Sequence, residues 1–405
     1  MDVFVYTFLL LASALFFGHI ATKLKQPQIV GEIIGGIVVG PLMLLILPKI
    51  FVPEGHAILR FFSHEEASDL MKAIIDFSGV FLMLGAGLEI NLSDLVHAGK
   101  SATLTAIFGV VTPFALGYVA STHILHLSFA ASLYIATSVS ITAVALSVAT
   151  LIQIGKLNTK AGITIVGAAV VDDIIGIILL SVLTSISATG KVPNASALIK
   201  VFIVPMVFVG VSIWLGPIIG RFVFSKAERL SVNERLSIIL LWVFVFSMLA
   251  HMSGLHVIIG AFIGGLTVRP FLRKAESDAI ERWIWGFFAP LFFAWTGFAV
   301  VFSKEAFGMP LLVIVTVAFV GKIFGGGLGA FISGIPIKQS FVVGIGMNGR
   351  AAVELIVANI ALTQGIINRD IYSSIVFMAM ITALATPIML KEFGTRFLPE
   401  PETGD

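Results

Sequence analysis

Apolar runs of roughly twenty residues recur thirteen times along this chain, and they set the terms for any fold. At 1.5 Å rise per residue, a helix of that length covers the hydrocarbon core of a bilayer. The runs lie at about 3–21, 28–48, 71–90, 99–121, 128–153, 160–187, 198–224, 234–252, 254–269, 284–303, 310–334, 339–363 and 370–390. Short segments rich in Gly, Pro or charge separate several of them, as connections between helical hairpins should. A chain that is 58% hydrophobic and only 12% charged has far more apolar surface than a soluble core could use. The sequence therefore predicts an all-α polytopic membrane protein with about 13 transmembrane helices.

The same composition removes several function classes. Cysteine is absent, which excludes disulfides, thiol nucleophiles and cysteine metal sites. A net charge of +2 gives no reason to expect a nucleic-acid partner. No nucleotide-binding loop, metal-ligand cluster or nucleophile–base pair is visible, so no enzyme and no cofactor are expected. The first run follows Asp2 and not a basic segment, and reads as a retained helix. With the N-terminus outside, the inner loops carry sixteen Lys and Arg and the outer loops seven. The positive-inside rule thus places the N-terminus outside and the C-terminus in the cytoplasm. Only Lys322 and Arg350 are left inside spans.

Polar residues inside such spans are expensive and need a use. Asp172 and Asp173 stand side by side in GAAVVDDIIGII, with apolar sequence on both sides. One such carboxylate can ligate a small hard cation, which prefers oxygen. Neighbours on a helix point about 100° apart, so the two need not share a role. Lys322, in VAFVGKIFGGG, lies too far from either interface for its stem to snorkel out. It requires a carboxylate, and Asp172 or Asp173 is the obvious partner. Glycines 325–327, just after it, favour close helix approach. The hydroxyl-rich TSVSIT (Thr137, Ser138, Ser140, Thr142) and the glycine-rich GIGMNGR (344–350) both suit an unwound segment. Arg350 and Glu354 are spaced i, i+4 and suit the neutralisation of exposed helix ends. For Glu32, near the inner end of its span, burial and snorkelling are equally open. Glu65, Glu66, Asp69 and Asp76 read as a solvated outer loop sooner than as an outer cation funnel, and Trp283, Trp285 and Trp295 as interface or packing residues.

A faint repeat adds to this. Gly87 and Gly297 sit in similar contexts about 210 positions apart, and TSVSIT and GIGMNGR lie about 208 apart. Seven spans separate the counterparts, and an odd number inverts the second copy. Inverted repeats with interrupted helices in matching places are a transporter pattern, with the binding site near the bilayer midplane.

Taken in order, QPQIVGEIIGGIVVGP (26–41), LGAGLEINL (84–92), ATSVSITAVAL (136–146), VVDDIIG (170–176) and GMNGRAAVEL (346–355) resemble the monovalent cation:proton antiporters, and within them the bacterial NapA/GerN/Kef-type branch. The resemblance covers essentially the whole chain. It implies an NhaA-like fold with inverted repeats, two broken crossing helices and a homodimer in a bacterial or archaeal inner membrane. Residues 1–390 would be one transporter domain and 391–405 a short cytoplasmic tail. The dimerisation panel would occupy about 1–90 and 234–303, the core about 99–187 and 310–390, and a linker helix about 198–224. It further implies Asp173 as the principal ligand of a transported Na⁺ or similar ion and Asp172 as a second ligand paired with Lys322. Thr137 and Ser138 would add ligands, and Arg350 and Glu354 would compensate charge. The expected activity is Na⁺/H⁺ antiport with Li⁺ and K⁺ as further cations, electrogenic if Lys322 carries a second proton and electroneutral if it stays protonated. K⁺/H⁺ antiport, a Kef-like gated K⁺ efflux channel and a sodium-coupled organic anion symporter are the alternatives. Two departures stand out: Asp172 replaces the Gln usual in Kef-type members, and Gly349 and Ala351-Ala352 replace the usual Pro and Gly-Glu around Arg350.

Overall fold

The structure is a computed structural model that describes residues 2–42, 69–142, 144–189, 195–299, 308–350 and 353–400. Glu65 and Glu66 lie outside these segments, as do the ends of the runs expected at 28–48 and 284–303. Every regular element among the described residues is helical. The order is α1 (Asp2–Lys23), α2 (Gln28–Ile37, extended by a wide turn Val38–Leu42), α3 (Asp69–Glu89), α4 (Leu92–His97), α5 (Gly99–His123), α6 (Phe129–Ser140), α7 (Val144–Gln153), α8 (Lys160–Thr189) and α9 (Ala195–Lys226). It continues with α10 (Val232–Met252), α11 (Val257–Val268), α12 (Lys274–Trp283), α13 (Ala289–Phe298), α14 (Met309–Ile332), α15 (Ile337–Gly346), α16 (Val353–Thr363) and α17 (Arg369–Phe397).

Eight helical stretches among the described residues are long and apolar enough to cross a membrane, counting 129–153 as one, and the protein is an integral membrane protein. Of the other expected spans, 71–90 forms the unbroken helix α3, which also takes in Asp69 and Asp76 from the expected outer loop, and four are realised differently. The 28–48 and 254–269 runs give shorter apolar helices. The 284–303 run opens with a wide turn, Ile284–Phe288, before α13. The 339–363 run is divided between α15 and α16. Local chemistry sets the boundaries. Ser128 Oγ accepts from the Ala131 N–H at the start of α6, and Ser231 with Glu234 closes a capping box on α10. Gly334 and Gly365, with φ of 96° and 68°, end α14 and α16 in the left-handed conformation that glycine adopts freely.

Close packing rests on missing side chains. The Gly321–Gly325–Gly329 stripe of α14 lies against Pro113, Phe108 and Leu104 of α5, and a Cβ at Gly325 would stand 2.4 Å from the Phe108 carbonyl oxygen. On the opposite side, Gly344 of α15 meets the Ile323 backbone. In lipid, van der Waals contact between close backbones is the main force between helices. Gly325→Val should therefore overpack the α5–α14 seam, costing about 1–3 kcal/mol. A melt in detergent that leaves Tm unchanged would contradict this packing.

On the face that carries the positively charged loops, Arg235 of α10 and Glu276 of the short amphipathic α12 form a buried ion pair. Arg235 also donates to the Phe271 and Ala227 carbonyls. Burial opposes ionisation of Glu276, but hydrogen bonds from Arg235 and the Arg273 N–H outweigh it and hold the carboxyl below its usual 4.5. A carboxyl lowered in the folded state stabilises fully above the unfolded value and loses that contribution as pH falls through the folded one. Melts of Glu276→Gln and wild type should therefore differ at neutral pH and converge in acid. A constant gap would mean that the pair does not titrate.

Candidate functional site

The two interruptions meet. After α6 the chain turns extended at Ile141 and Thr142 lies outside the helices on either side, and the second break lies between α15 and α16. Thr142 Oγ1 donates to the Met347 carbonyl at 3.1 Å, and Ser147 Oγ donates to the Gly346 carbonyl at 2.5 Å. Last-turn carbonyls of α15 are thus satisfied by hydroxyls from the other broken helix, where a membrane supplies no water. The end of α6 is treated differently. Arg350, fully buried, donates to the Ser138, Val139 and Ile141 carbonyls at 2.9, 2.5 and 3.0 Å. A guanidinium there offsets the partial negative charge of a helix C-terminus. Arg350→Ala would leave three buried acceptors unsatisfied at about 1–3 kcal/mol each, so its yield and Tm should fall sharply. A wild-type melt for that variant would rule out this role.

Asp172 and Asp173 share α8 but not an environment. Asp172 is fully buried and uses both oxygens: Oδ2 accepts the Thr142 N–H at 2.8 Å, and Oδ1 faces Lys322 Nζ at 3.2 Å. Lys322, from the glycine-lined centre of α14, is equally buried. Burying this pair is tolerable because each charge meets its opposite and Asp172 gains an N–H donor. Asp173, about 100° around the helix, is half-buried and makes no hydrogen bond or ion pair among the described residues.

Of the other residues singled out, Thr137 and Ser138 are fully buried in the last turns of α6. Thr137 Oγ1 donates to its own helix, at Leu133, whereas Ser138 Oγ has no partner among the described residues. Glu354 is buried in the first turn of α16, where an acidic side chain suits a helix N-terminus. Glu32 does not snorkel. It is 2% exposed and accepts a 2.8 Å hydrogen bond from Gln28 Nε2, because Gly18 lets the side chains of both lie against α1. Trp295 stacks on Phe298, and Trp283 is exposed. Sequence reasoning passed over Ser147 and Asn348. Asn348 follows Met347 in the second break and is fully buried, with neither amide atom partnered among the described residues. An amide within an apolar, glycine-rich run was the available signal.

Buried opposite charges held where two interrupted membrane helices touch are the equipment of an ion-transport protein. The chain belongs to the sodium/hydrogen exchanger transmembrane family, whose profile matches residues 8–395, and so to the monovalent cation:proton antiporters. It is 31% identical over 98% of its length to the Na(+)/H(+)-K(+) antiporter GerN of Bacillus cereus, covering 97% of that protein. It is 33% identical to the probable Na(+)/H(+) antiporter GerT of the same organism, over 93% of this chain and 95% of that one. The fold also matches the solved sodium proton antiporter MjNhaP1 of Methanocaldococcus jannaschii, with a TM-score of 0.66 at 17% identity and 98% coverage of both chains. These relatives are transporters, not enzymes.

Proposed function

We propose that this protein exchanges cytoplasmic Na⁺, and also Li⁺, for external protons by alternating access, with Asp173 as the shared cation and proton site. The observation that carries this reading is the contrast within one helix. Asp172 is locked to Lys322 and Thr142, while the adjacent Asp173 keeps its oxygens uncommitted among the described residues. A cation and a proton compete for such a carboxylate, and competition at one site is what couples their movements. When the cation enters, Asp172 turns toward it and releases Lys322, which gives up its proton. Two protons then cross for each cation, and the cycle is electrogenic. Thr137 and Ser138 add oxygen ligands, while Arg350 and Glu354 balance the ends of the broken helices.

Packing supports an NhaA-like inverted repeat of about thirteen spans. If α2 and α11 are counterparts, and likewise α3 and the span containing α13, then the α3–α11 contact should map onto α13–α2. Both are close glycine-mediated contacts: a Cβ at Gly87 would lie 2.3 Å from the Phe262 carbonyl oxygen, and one at Gly297 1.9 Å from that of Ile33. In the same way α5–α6 has its counterpart in α14–α15. On this reading 99–187 and 310–390 form a moving core, 1–90 and 234–303 a homodimerisation panel, and 198–224 the linker. Phe4, Phe8 and Phe16 of α1 offer exposed apolar surface to a second copy or to lipid. The lysine and arginine distribution favours the N-terminus outside.

A second reading, K⁺/H⁺ exchange, draws on the presence of K⁺ in the name of GerN, a Na(+)/H(+)-K(+) antiporter. Both readings are tested in proteoliposomes carrying an internal pH dye, given Na⁺, Li⁺ and K⁺ in turn with the voltage clamped and then free. Na⁺- or Li⁺-driven pH change is expected, larger when the potential favours net charge movement. Cation flux without proton movement would replace the exchanger with a channel.

A further inference from the structure

Once the hydrogen bonds of the crossover are assigned, few oxygens remain. Asp172 has both of its oxygens engaged. The hydroxyls of Thr137, Ser140, Thr142 and Ser147 all donate to carbonyls, which fixes their rotamers while their lone pairs stay able to face a cation, and Glu354 is engaged as well. Among the described residues of the two breaks and of α8 beside them, the uncommitted side-chain oxygens are the Asp173 carboxylate, the Ser138 hydroxyl and the Asn348 carboxamide. Ser138 and Asn348 are fully buried. Leaving polar atoms unpaired in such a place is unfavourable, and it persists where a ligand visits.

We infer that Asn348 is a specificity-determining ligand: its amide oxygen, with the Ser138 hydroxyl, completes the coordination of the cation that Asp173 binds. The inference rests on the antiport reading above and extends it to the second broken helix. Small hard cations exchange their water for protein oxygens, and which ion fits depends on how firmly those oxygens are spaced. Both ligands sit on backbone tied between the two breaks. Asn348 follows Met347, whose carbonyl is fixed 3.1 Å from Thr142 Oγ1, and the Ser138 carbonyl is fixed 2.9 Å from Arg350 Nη1. A pair anchored in this way resists adjusting from a small ion to a larger one. An amide also adds no charge, so it discriminates among cations without itself taking the transported proton.

The test compares wild type with Asn348→Leu, Asn348→Ser and Ser138→Ala in proteoliposomes. The readouts are the apparent KM for Li⁺, Na⁺ and K⁺ and the pH of half-maximal exchange at saturating cation. Asn348→Leu, which keeps the size and removes the oxygen, should raise the Na⁺ KM about tenfold, the scale of one lost ligand contact. It should also change the Li⁺:K⁺ preference and leave the half-maximal pH in place. Ser138→Ala should act in the same direction. If Asn348→Leu is not recovered as folded protein, Asn348→Ser decides. It retains an oxygen at shorter reach and must shift the Li⁺:K⁺ ratio. Unchanged KM values and preference, or an equal loss for all three cations, would assign Asn348 to structure alone. Wild type that moves no protons would remove the antiport reading and this proposal together. Normal exchange with an indifferent Asn348 removes the proposal only.

Discussion

Asp173→Asn is expected to abolish cation-driven proton movement while leaving the folded protein almost untouched. The stability half follows from what the side chain does in the structure. Asp173 is half-buried and makes no hydrogen bond or ion pair among the described residues, so replacing one oxygen by an amide nitrogen breaks nothing. Such a change should stay within about 0.5 kcal/mol of wild type. The transport half follows from the chemistry, since an amide neither titrates nor offers a negative charge to a cation. Exchange should fall by roughly 100-fold or more, the scale seen when the one group that takes and gives the proton is lost. Asp172→Asn should differ in kind. Asp172 is the counter-charge of Lys322 and the acceptor for Thr142, so neutralising it leaves a buried ammonium without its anion and lowers Tm as well as rate. The two variants, compared in one proteoliposome assay with paired melts, separate a ligand from a brace. Wild-type exchange in Asp173→Asn would move the site elsewhere.

How far the sequence could be read differs from feature to feature, and the differences have physical causes. The all-helical membrane fold was legible because run length alone dictates it. A mid-span lysine was equally visible, because no rotamer of its stem reaches water from there. Which aspartate it meets depends on the phase of one helix against another, and adjacent residues on α8 differ in phase by about 100°. The breaks showed through their glycines and hydroxyls, but their union did not. Thr142 with Met347 and Ser147 with Gly346 join positions 205 and 199 residues apart. Spacing suggested that Arg350 and Glu354 neutralise helix ends, but not that the Arg350 guanidinium would reach three carbonyls some 210 residues back in the chain. Backbone carbonyls leave no mark in a sequence. Glu32 was undecided for a related reason, since burial is set by Gly18 on a different helix.

Lys322→Ala carries the second large effect, and its two consequences can be pulled apart. Removing the ammonium strands Asp172 in a fully buried position with only the Thr142 N–H for company. Breaking one side of a buried pair costs about 3–5 kcal/mol, so Tm should drop well below that of Asp173→Asn. Adding Asp172→Asn to Lys322→Ala should recover much of the loss, because the stranded charge is then gone. A double-mutant cycle on Tm measures that coupling directly. Transport by Lys322→Ala then addresses stoichiometry. If the lysine carries the second proton, the variant exchanges one proton per cation and moves no net charge. Wild type should gain about 2.3 kcal/mol per 100 mV for its single net charge, close to a 45-fold shift in the attainable cation gradient. The variant should gain nothing, and its pH response should be the same with the voltage clamped or free. A Lys322→Ala protein that still responds to voltage would confine the lysine to holding Asp172. Charge movement would then have to arise at Asp173, the remaining uncommitted carboxylate beside the crossover among the described residues.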